Sequence, residues 1–367
     1  MTQDDIIEML LAFIAADDER SDIETDTSED AFNDVALRLF AYQFENNRPF
    51  RQFSIQRGRT PRTARSWRDI PAVPINAFKE LTLSCCAPED AARVFMTSGT
   101  TLGGLRGKSY HANLSVYDAS MIRGFKEYFM ADRDRIDMGI LFPAENIMPN
   151  SSLAHYLALA LSHFGTPDSG YMMQDDGIAF DYLFAALDRA QKSGTPYALL
   201  GASYSFVPLL DEMLRRGISF ALPEGSRLFD TGGFKGQSRE LGLDEFYDQL
   251  AACFGVPREK CTNMYGMTEL STQFYDRGNA TCPSVKSGPH WIRSRVINPL
   301  TGEDVPFGET GVLVHCDLAH FNIVSTILTE DAGVETENGF LLLGRADGAE
   351  ARGCSMAVEE FLNAARA

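Results

Sequence analysis

The sequence predicts an α/β protein with a mainly parallel sheet flanked by helices, plus a small β subdomain. Between residues 51 and 285, short apolar strand-like runs alternate with helix-length segments, which is the pattern of a parallel sheet. Residues 286–367 are instead rich in turns and strands. The 367 residues are 44% hydrophobic, which is sufficient for a large core. Functional loops of such folds collect at the carboxyl ends of the parallel strands.

The elements fall into three predicted segments. Residues 1–50 form an N-terminal helical layer, in which AFNDVALRLFAYQFENN is a helix with one apolar face: Phe32, Val35, Ala36, Leu39 and Phe40. Residues 51–285 form the α/β core, with GILFPA, YALLGA and SRLFD as strands and PNSSLAHYLALALSHFG and LDEFYDQLAACFG as helices. Residues 286–367 form the β-rich subdomain.

The charge balance limits the classes of partner that this protein is expected to bind. Thirty-three Lys and Arg face fifty-one Asp and Glu, a net charge of -18, which argues against binding nucleic acid or an anionic membrane surface. The N-terminal residues do not have the pattern of a signal peptide, and no apolar run approaches the length of a membrane helix. The seven cysteines contain no CxxC pair. We therefore expect a cytoplasmic protein with no nucleic-acid partner, no membrane partner, no zinc site and no disulfide framework. Any anionic ligand must be held by a local device.

The first such device is a loop of hydroxyls and glycines in VFMTSGTTLGGLRGKSY. It contains Thr97, Ser98, Gly99, Thr100 and Thr101, and Arg106 and Lys108 follow it. Hydroxyls and unhindered backbone N–H groups can surround phosphate oxygens, and glycine permits their close approach. The loop is not a Walker motif, and a plain surface turn is the alternative.

The second device is NMYGMTE, which follows a predicted helix and short strand. Thr268 and Glu269 offer hard oxygen ligands of the kind that Mg²⁺ shares with nucleotide phosphates. Tyr265, followed by Gly266, offers a flat face for a base or an acyl group. A surface turn is again the alternative.

The third device lies near the C-terminus, in LTEDAG and LGRADG. A carboxylate such as Asp331 can accept both hydroxyls of a ribose, and Arg345 can bridge ribose and phosphate. Either residue could instead be a salt-bridged surface group.

Together the three devices resemble the adenylate-forming superfamily, which contains acyl-CoA synthetases, peptide-synthetase adenylation domains and firefly luciferase. FMTSGTTLGGLRGK resembles its phosphate loop, MYGMTE its Tyr-Gly-x-Thr-Glu motif, TEDAG its Thr-Gly-Asp motif, LLGRAD its Gly-Arg-x-Asp hinge and DTGGFKG its Gly-Gly loop. Within the superfamily, PNSSLAHY, TGGFKG and GRADGAEARGCS look most like the acyl-protein synthetases of bacterial luminescence (LuxE-like).

This resemblance implies a role for each matched residue. The loop from Thr97 to Thr101 would hold the ATP phosphates, and Glu269, with Thr268, would hold Mg²⁺. Asp331 would accept hydrogen bonds from the ribose hydroxyls, and Arg345 would bind on the ribose side. Adenine and the carboxylate would be bracketed by Gly232, Gly233, Tyr265 and Gly266. His155 would lie by the acyl pocket, or else be an ordinary histidine in a capped helix.

The chain also departs from the superfamily pattern. Arg106 stands where a lysine is usual, and Glu330 replaces the glycine of Thr-Gly-Asp. Because the sequence stops at Ala367, no C-terminal lid domain and no lid lysine are expected. A partner, or Arg106, Lys108 or Lys235, would then stabilise the developing charge.

In the acyl-protein synthetases the acyl group passes to a cysteine near the C-terminus, and Cys354 occupies the matching place. We expect Arg352 and a glycine-flexed segment to lower the pKa of the Cys354 thiol and expose it to the mixed anhydride. The alternative is a buried structural cysteine.

The sequence thus predicts a ligase that uses ATP and Mg²⁺ to convert a carboxylic acid, such as a fatty acid, into acyl-AMP. The acyl group would then reach Cys354 and an acyl reductase or another carrier or acceptor protein. The first alternative is an adenylating enzyme of secondary metabolism that acts on an aromatic or amino-acid-like carboxylate. The second is an inactive module that only binds a nucleotide or acyl ligand.

Overall fold

The computed structural model describes residues 1–16, 26–97, 105–174, 177–234 and 239–366. The chain divides into two compact units. Unit 1 comprises Met1–Arg123, Met267–Thr272 and Gly288–Ala367, and unit 2 comprises Gly124–Gly266 and Gln273–Ser287. The division of the chain after residues 50 and 285 stays a prediction. Within the described ranges, no helix combines the length and apolar character needed to cross a membrane.

The described residues form ten α-helices: α1 (Gln3–Ala15), α2 (Asp26–Asn46), α3 (Arg48–Gln56), α4 (Ala77–Glu80), α5 (Ser115–Phe125), α6 (Ser152–Phe164), α7 (Phe180–Ser193), α8 (Ser203–Arg216), α9 (Leu243–Phe254) and α10 (Gly348–Arg366). Helix α5 continues as a π-helical turn over Lys126–Met130. Short 3₁₀ helices cover Trp67–Asp69, Pro88–Asp90 and Arg258–Lys260.

The strands in the same ranges are β1 (Val73–Pro74), β2 (Arg93–Met96), β3 (Lys108–His111), β4 (Asp137–Leu141), β5 (Gly170–Tyr171), β6 (Met173–Gln174), β7 (Gly177–Ile178), β8 (Tyr197–Ala202), β9 (Arg227–Thr231), β10 (Cys261–Tyr265), β11 (Phe274–Tyr275), β12 (Val285–Lys286), β13 (Ile292–Ile297), β14 (Thr310–Asp317), β15 (Thr326–Thr336) and β16 (Gly339–Arg345).

Unit 1 contains an antiparallel sheet in the order β13-β14-β15-β16, and β1 pairs in parallel with the first part of β15. This confirms the predicted β-rich character of the C-terminal region. The apolar face predicted for the second helix is buried in α2 as expected: Phe32, Val35, Ala36, Leu39 and Phe40. Helix α10 contacts α3, α4, β1 and β15.

Unit 2 contains the predicted parallel sheet. Its strands run in the order β5-β4-β8-β9-β10, all parallel, and β11 joins the β10 edge antiparallel. All six residues of β8 are buried, as expected for a strand covered by helices on both faces. Helices α7, α8 and α9 contribute the apolar residues that pack on this sheet, among them Leu187, Leu210 and Leu250. The strands and helices predicted for this region are therefore confirmed.

Candidate active site

The base of the predicted phosphate loop is well defined in unit 1. Strands β2 and β3 pair antiparallel, and Met96 lies opposite Lys108. The Thr97 amide donates to the Gly107 carbonyl (3.0 Å), and the Gly107 amide donates to the Thr97 hydroxyl (3.0 Å). The two ends of the loop are thus held together. The other four predicted phosphate ligands lie outside the described residues: Ser98, Gly99, Thr100 and Thr101. Lys235 lies outside them as well.

Glu269 lies beside this base. Its side chain is only 6% exposed, and a methyl group placed on Gly107 would come within 3.1 Å of the Glu269 Oε1. The Ser109 hydroxyl donates to the Thr268 carbonyl (2.8 Å), which ties β3 to the same turn. Glycine at position 107 therefore lets the carboxylate approach the loop. The structure brings together Thr97, Thr268 and Glu269 as the sequence predicted.

The segment that carries Glu269 is anchored by Asp317 at the end of β14. The buried Asp317 carboxylate accepts hydrogen bonds from the Ser271 amide (2.7 Å), the Thr272 amide (2.8 Å) and the Thr272 hydroxyl (2.6 Å). The Ser271 hydroxyl also meets the ring of His320 at Nδ1 (2.9 Å). These contacts hold the turn in place two residues beyond the carboxylate. Sequence reasoning missed Asp317, because nothing local marks it.

Electrostatics set the state of Glu269. Burial raises the pKa of its carboxyl to about 7. A hydrogen bond from the Glu269 backbone, then Lys79 and then Arg345 oppose that rise, whereas Asp331 adds to it. A carboxyl with this pKa is partly protonated at neutral pH, and a nearby cation would favour its ionised form. The side chain is thus poised to gain a positive partner.

The predicted ribose residues face each other across two strands. Asp331 on β15 is the register partner of Arg345 on β16, and the Arg345 Nε lies 3.5 Å from an Asp331 carboxylate oxygen. Arg345 also donates to Glu330 (3.2 Å). The residue at the superfamily's glycine position therefore joins the same ionic group. The guanidinium is 61% exposed, so water screens these pairs.

Two further residues of this polar group were missed by sequence reasoning. The Lys79 ammonium donates to the Asn76 side-chain oxygen (2.8 Å), and the Asn76 amide donates to the Glu330 carboxylate. Both residues belong to DIPAVPINAFKE, which the sequence marked only as an irregular passage. Helix α4, which begins after Asn76 and contains Lys79, is a single turn and is too short to give a periodic signal.

The residues present fit a magnesium ion that is shared with a nucleotide. Among the described residues, no group of three or more His, Cys, Asp or Glu side chains could hold a metal ion. Glu269 would supply one buried carboxylate ligand beside the base of the phosphate loop. Mg²⁺ is commonly held by one or two carboxylates together with phosphates and water. We therefore expect the protein to contribute a single carboxylate ligand.

Arg106 and Lys108 lie on either side of Gly107, and both are exposed. Their positions agree with the sequence expectation that they flank the phosphate loop. The role predicted for Arg106 in catalysis stays a prediction.

In unit 2, the predicted adenine-side residues lie at the carboxyl ends of β9 and β10. Gly232 follows β9 with a φ of +76°, a left-handed conformation that favours glycine. No described atom lies within 4 Å of a methyl group placed on Gly232 or Gly233. Tyr265 ends β10 and is buried, with Phe274 at 5.9 Å between ring centroids, whereas Gly266 is exposed. The Tyr265 motif is therefore more than a plain surface turn.

A buried polar network lies beneath these residues. The Asp230 carboxylate accepts hydrogen bonds from the Ser203 hydroxyl (2.6 Å), the Tyr247 hydroxyl (2.9 Å) and the Asn263 amide (2.8 Å). Lys286 bonds to Asn263 and to Asp276 in turn. Burial raises the Asp230 pKa, and these hydrogen bonds oppose that rise. The network fixes the strand ends that precede Gly232 and Tyr265.

His155 lies in the first turn of α6, as predicted. The Ser151 hydroxyl caps this helix by accepting from the Ala154 amide (3.2 Å). The buried His155 ring contacts the Glu145 carboxylate through Nδ1 (2.7 Å). The interpretation as a helix histidine with a polar partner is supported, and the acyl-pocket role stays a prediction.

Cys354 corrects one expectation. It lies within α10 rather than on a flexible segment, and it is only 4% exposed among Ile297, Val312, Val314 and Leu328. Its thiol donates to the Thr329 carbonyl (3.8 Å), and burial, followed by Glu330 and Glu350, raises its pKa to about 11. The predicted lowering by Arg352 is wrong, because burial disfavours the thiolate and Arg352 itself is exposed.

Comparison with solved structures defines the class. The chain is similar to 2-hydroxyisobutyryl-CoA ligase in complex with its acyl-AMP, with a TM-score of 0.66, 14% identity, and coverage of 92% of this chain and 74% of that chain. It is also similar to ATP-bound MatB from Rhodopseudomonas palustris, with a TM-score of 0.51, 17% identity, and coverage of 71% and 49%. The fold is that of the adenylate-forming ligases.

The chain belongs to the LuxE acyl-protein synthetase family, whose model, "Acyl-protein synthetase, LuxE", matches residues 6–363. It is 24% identical over 301 residues to the long-chain-fatty-acid–luciferin-component ligase of Vibrio harveyi, covering 81% of this chain and 77% of that protein. The ligase of the same name from Aliivibrio fischeri is 21% identical over 305 residues, covering 83% and 79%. The resemblance identified from the motifs is thereby confirmed.

Proposed function

We propose that this protein activates a long-chain fatty acid with ATP and Mg²⁺ and then transfers the acyl group to an acceptor. The observation that carries the proposal is the buried Glu269 carboxyl beside Gly107, with Lys79, Arg345 and Asp331 in its electrostatic surroundings. The names of the Vibrio and Aliivibrio relatives support a fatty acid as the substrate. The family description supports a protein as the acceptor.

In the first step, a carboxylate oxygen of the fatty acid attacks the α-phosphorus of ATP. The bond from that phosphorus to the oxygen that bridges the α- and β-phosphates breaks, and pyrophosphate leaves with the electron pair. Thr97 and the loop after it would hold the phosphates, Glu269 and Thr268 would hold Mg²⁺, and Asp331 would hold the ribose. A bound Mg²⁺ supplies charge neutralisation on the phosphates. Positioning and charge stabilisation account for the catalysis in such reactions.

In the second step, a nucleophile attacks the acyl carbonyl carbon and its proton passes to water. The bond from that carbon to the phosphate oxygen breaks, and AMP leaves with the electron pair. We assign this nucleophile to Cys354, with a partner such as an acyl reductase as the next acceptor. Because the Cys354 thiol is buried in α10 and has a raised pKa, α10 must shift before the thiol can react. The step therefore couples acyl transfer to a local opening.

Pyrophosphate exchange into ATP tests the first step. With the purified chain we expect exchange that depends on a long-chain fatty acid and on Mg²⁺, and that Glu269→Ala abolishes. Glu309→Ala, at an exposed turn, is the matched control and should retain full exchange. Exchange that persists in Glu269→Ala would refute the metal assignment.

Radiolabelled fatty acid tests the second step. We expect covalent label on the wild-type chain in the presence of ATP and none on Cys354→Ala, with exchange retained in both. Equal labelling of Cys354→Ala would remove Cys354 from the mechanism.

The burial of Cys354 favours an enzyme that releases its acyl-AMP without a covalent acyl intermediate. The alternative of this kind is an adenylating enzyme that acts on an aromatic or amino-acid-like carboxylate. A screen of fatty, aromatic and amino acids for pyrophosphate release separates the two. Release with aromatic or amino acids, without covalent label, would support the alternative. ATP binding without exchange for any acid would indicate an inactive module.

A further inference from the structure

We propose that Lys79 is a catalytic residue of the adenylation step, whose ammonium binds the α-phosphate of ATP and stabilises the negative charge that develops there. The inference rests on the proposed function. Neither the motifs nor the resemblance assigned Lys79 a role.

The backbone places Lys79 beside the ribose residues. Strand β1 pairs with β15 through Pro74 and Leu328, and the Ile75 amide donates to the Leu328 carbonyl (3.0 Å). Helix α4 starts two residues later, whereas Glu330 lies two residues beyond Leu328 on β15. The pairing of the two strands therefore fixes α4 next to the segment that carries Asp331.

The same helix contacts the base of the phosphate loop. A methyl group placed on Gly107 would lie 3.5 Å from the Phe78 Cβ and 3.1 Å from the Glu269 Oε1. Lys79 is the residue after Phe78, and its half-buried side chain is held by Asn76 (Nζ to Oδ1, 2.8 Å). Lys79 therefore belongs to an element that contacts both the residues predicted to hold Mg²⁺ and those predicted to hold the ribose.

The α-phosphate is the group of ATP that lies between these two sides. It joins the ribose to the phosphates that Mg²⁺ would neutralise, and its phosphorus is the atom that the carboxylate attacks. An ammonium carries three donors, and Asn76 accepts one of them.

The chemistry needs no proton from Lys79. As the carboxylate attacks, negative charge grows on the non-bridging oxygens of the α-phosphate, and a fixed ammonium stabilises it without changing its own protonation. The role is therefore charge stabilisation in the transition state. A purely structural role, in which Lys79 only orients Asn76 and Glu330, is the rival that the experiment must exclude.

The test compares AMP with adenosine, because the α-phosphate is the only difference between the two. Calorimetry with wild type, Lys79→Gln, Lys79→Met and Lys79→Arg is combined with pyrophosphate exchange. Lys192→Gln is the control, since it removes a lysine charge from an exposed helix face (72% exposed).

We expect Lys79→Gln and Lys79→Met to bind AMP about 10-fold more weakly, to bind adenosine as wild type does, and to lower the kcat of exchange about 100-fold. Lys79→Arg should recover part of the AMP affinity, and Lys192→Gln should match wild type. Equal losses for AMP and adenosine, or unchanged AMP binding and exchange, would overturn the proposal. Wild-type exchange that fails with every acid would instead reject the proposed function, and the AMP–adenosine difference would still decide the role of Lys79.

Discussion

At the scale of single residues, the site depends on one carboxyl whose environment opposes its ionisation. Burial raises the pKa of Glu269 to about 7, although Lys79 and Arg345 partly offset the effect. A folded-state pKa above the unfolded one means that ionisation destabilises the folded protein. This cost is small below the usual pKa of about 4.5, grows as pH rises towards 7, and is fully present above it. A bound cation would remove it.

We therefore expect Glu269→Gln to stabilise the metal-free protein while abolishing its activity. At pH 8 the gain in the free energy of unfolding should approach about 3 kcal/mol, and at pH 5 it should be well below that. Urea unfolding in EDTA at the two pH values measures the difference. Glu309→Gln should show no such pH-dependent gain, and an equal gain at both pH values in Glu269→Gln would contradict the assigned pKa.

Gly107 offers a second test at this scale. A methyl group here would lie 3.1 Å from the Glu269 Oε1 and 3.2 Å from the Thr97 Cγ2. Both contacts are too tight, so Gly107→Ala must displace these atoms by a few tenths of an ångström. We expect exchange to fall about 10-fold or more, because small misplacements of catalytic groups are costly. Gly170→Ala, with no atom within 4 Å of the added methyl group, should keep wild-type exchange. Normal activity in Gly107→Ala would show that the carboxylate need not lie this close to the loop.

At the scale of secondary-structure elements, α10 determines how accessible Cys354 is. Its buried face places Cys354 on the antiparallel sheet, and Phe361 packs against Phe53 of α3 with ring centroids 4.8 Å apart. Close packing continues at Gly353, where a methyl group would lie 2.9 Å from Pro299. The helix therefore keeps the Cys354 thiol covered, and burial keeps it protonated at neutral pH.

The reactivity of Cys354 should show this protection. With its pKa raised to about 11, the thiolate fraction is small at pH 8 and rises about 10-fold per pH unit up to that value. We expect slow alkylation of Cys354 by iodoacetamide at pH 8, with a steep increase up to pH 10, measured by mass spectrometry of the C-terminal peptide. Half-buried Cys86 is the internal comparison and should react faster at pH 8. Rapid alkylation of Cys354 at pH 8 in the absence of ligands would mean that the thiol is accessible without any shift of α10.

At the scale of the whole molecule, an acidic protein must bind a polyanion. The net charge is -18, yet the described part of unit 1 gathers Lys79, Arg106, Lys108 and Arg345 on the elements around Glu269 and Asp331. The positive side chains therefore attract ATP only at short range, whereas the net negative charge of the protein repels it at long range. Salt should weaken the repulsion more than the short-range contacts.

We therefore expect the KM for MgATP to fall about two-fold between about 0.01 M and 0.1 M ionic strength, as the Debye length shortens from about 30 Å to about 10 Å. Uncharged adenosine, as a competitive inhibitor, should keep the same inhibition constant over that range. A KM that rises steeply with salt would show instead that long-range attraction dominates nucleotide binding.

Much of the fold and part of the site could be predicted from the sequence. The 3.6-residue periodicity of α2 and the apolar runs of β4, β8 and β9 are local signals, so these elements were found directly. The motif around Glu269 was recognised because its residues are contiguous. Lys79 and Asp317 were missed, because each acts on the site from a distant part of the chain through an element or a contact that leaves no local pattern.

The amino-acid sequence by itself determined the α/β class, the order of the elements, the family and the identity of the motif residues. Only the tertiary structure decided how those residues behave. It buries Glu269 and Cys354 and so raises the pKa values of both, and it brings Asn76 and Lys79 to Glu330 across some 250 positions. The physical reason is that desolvation and Coulomb interaction depend on distance and burial in space, which neighbours along the chain do not specify.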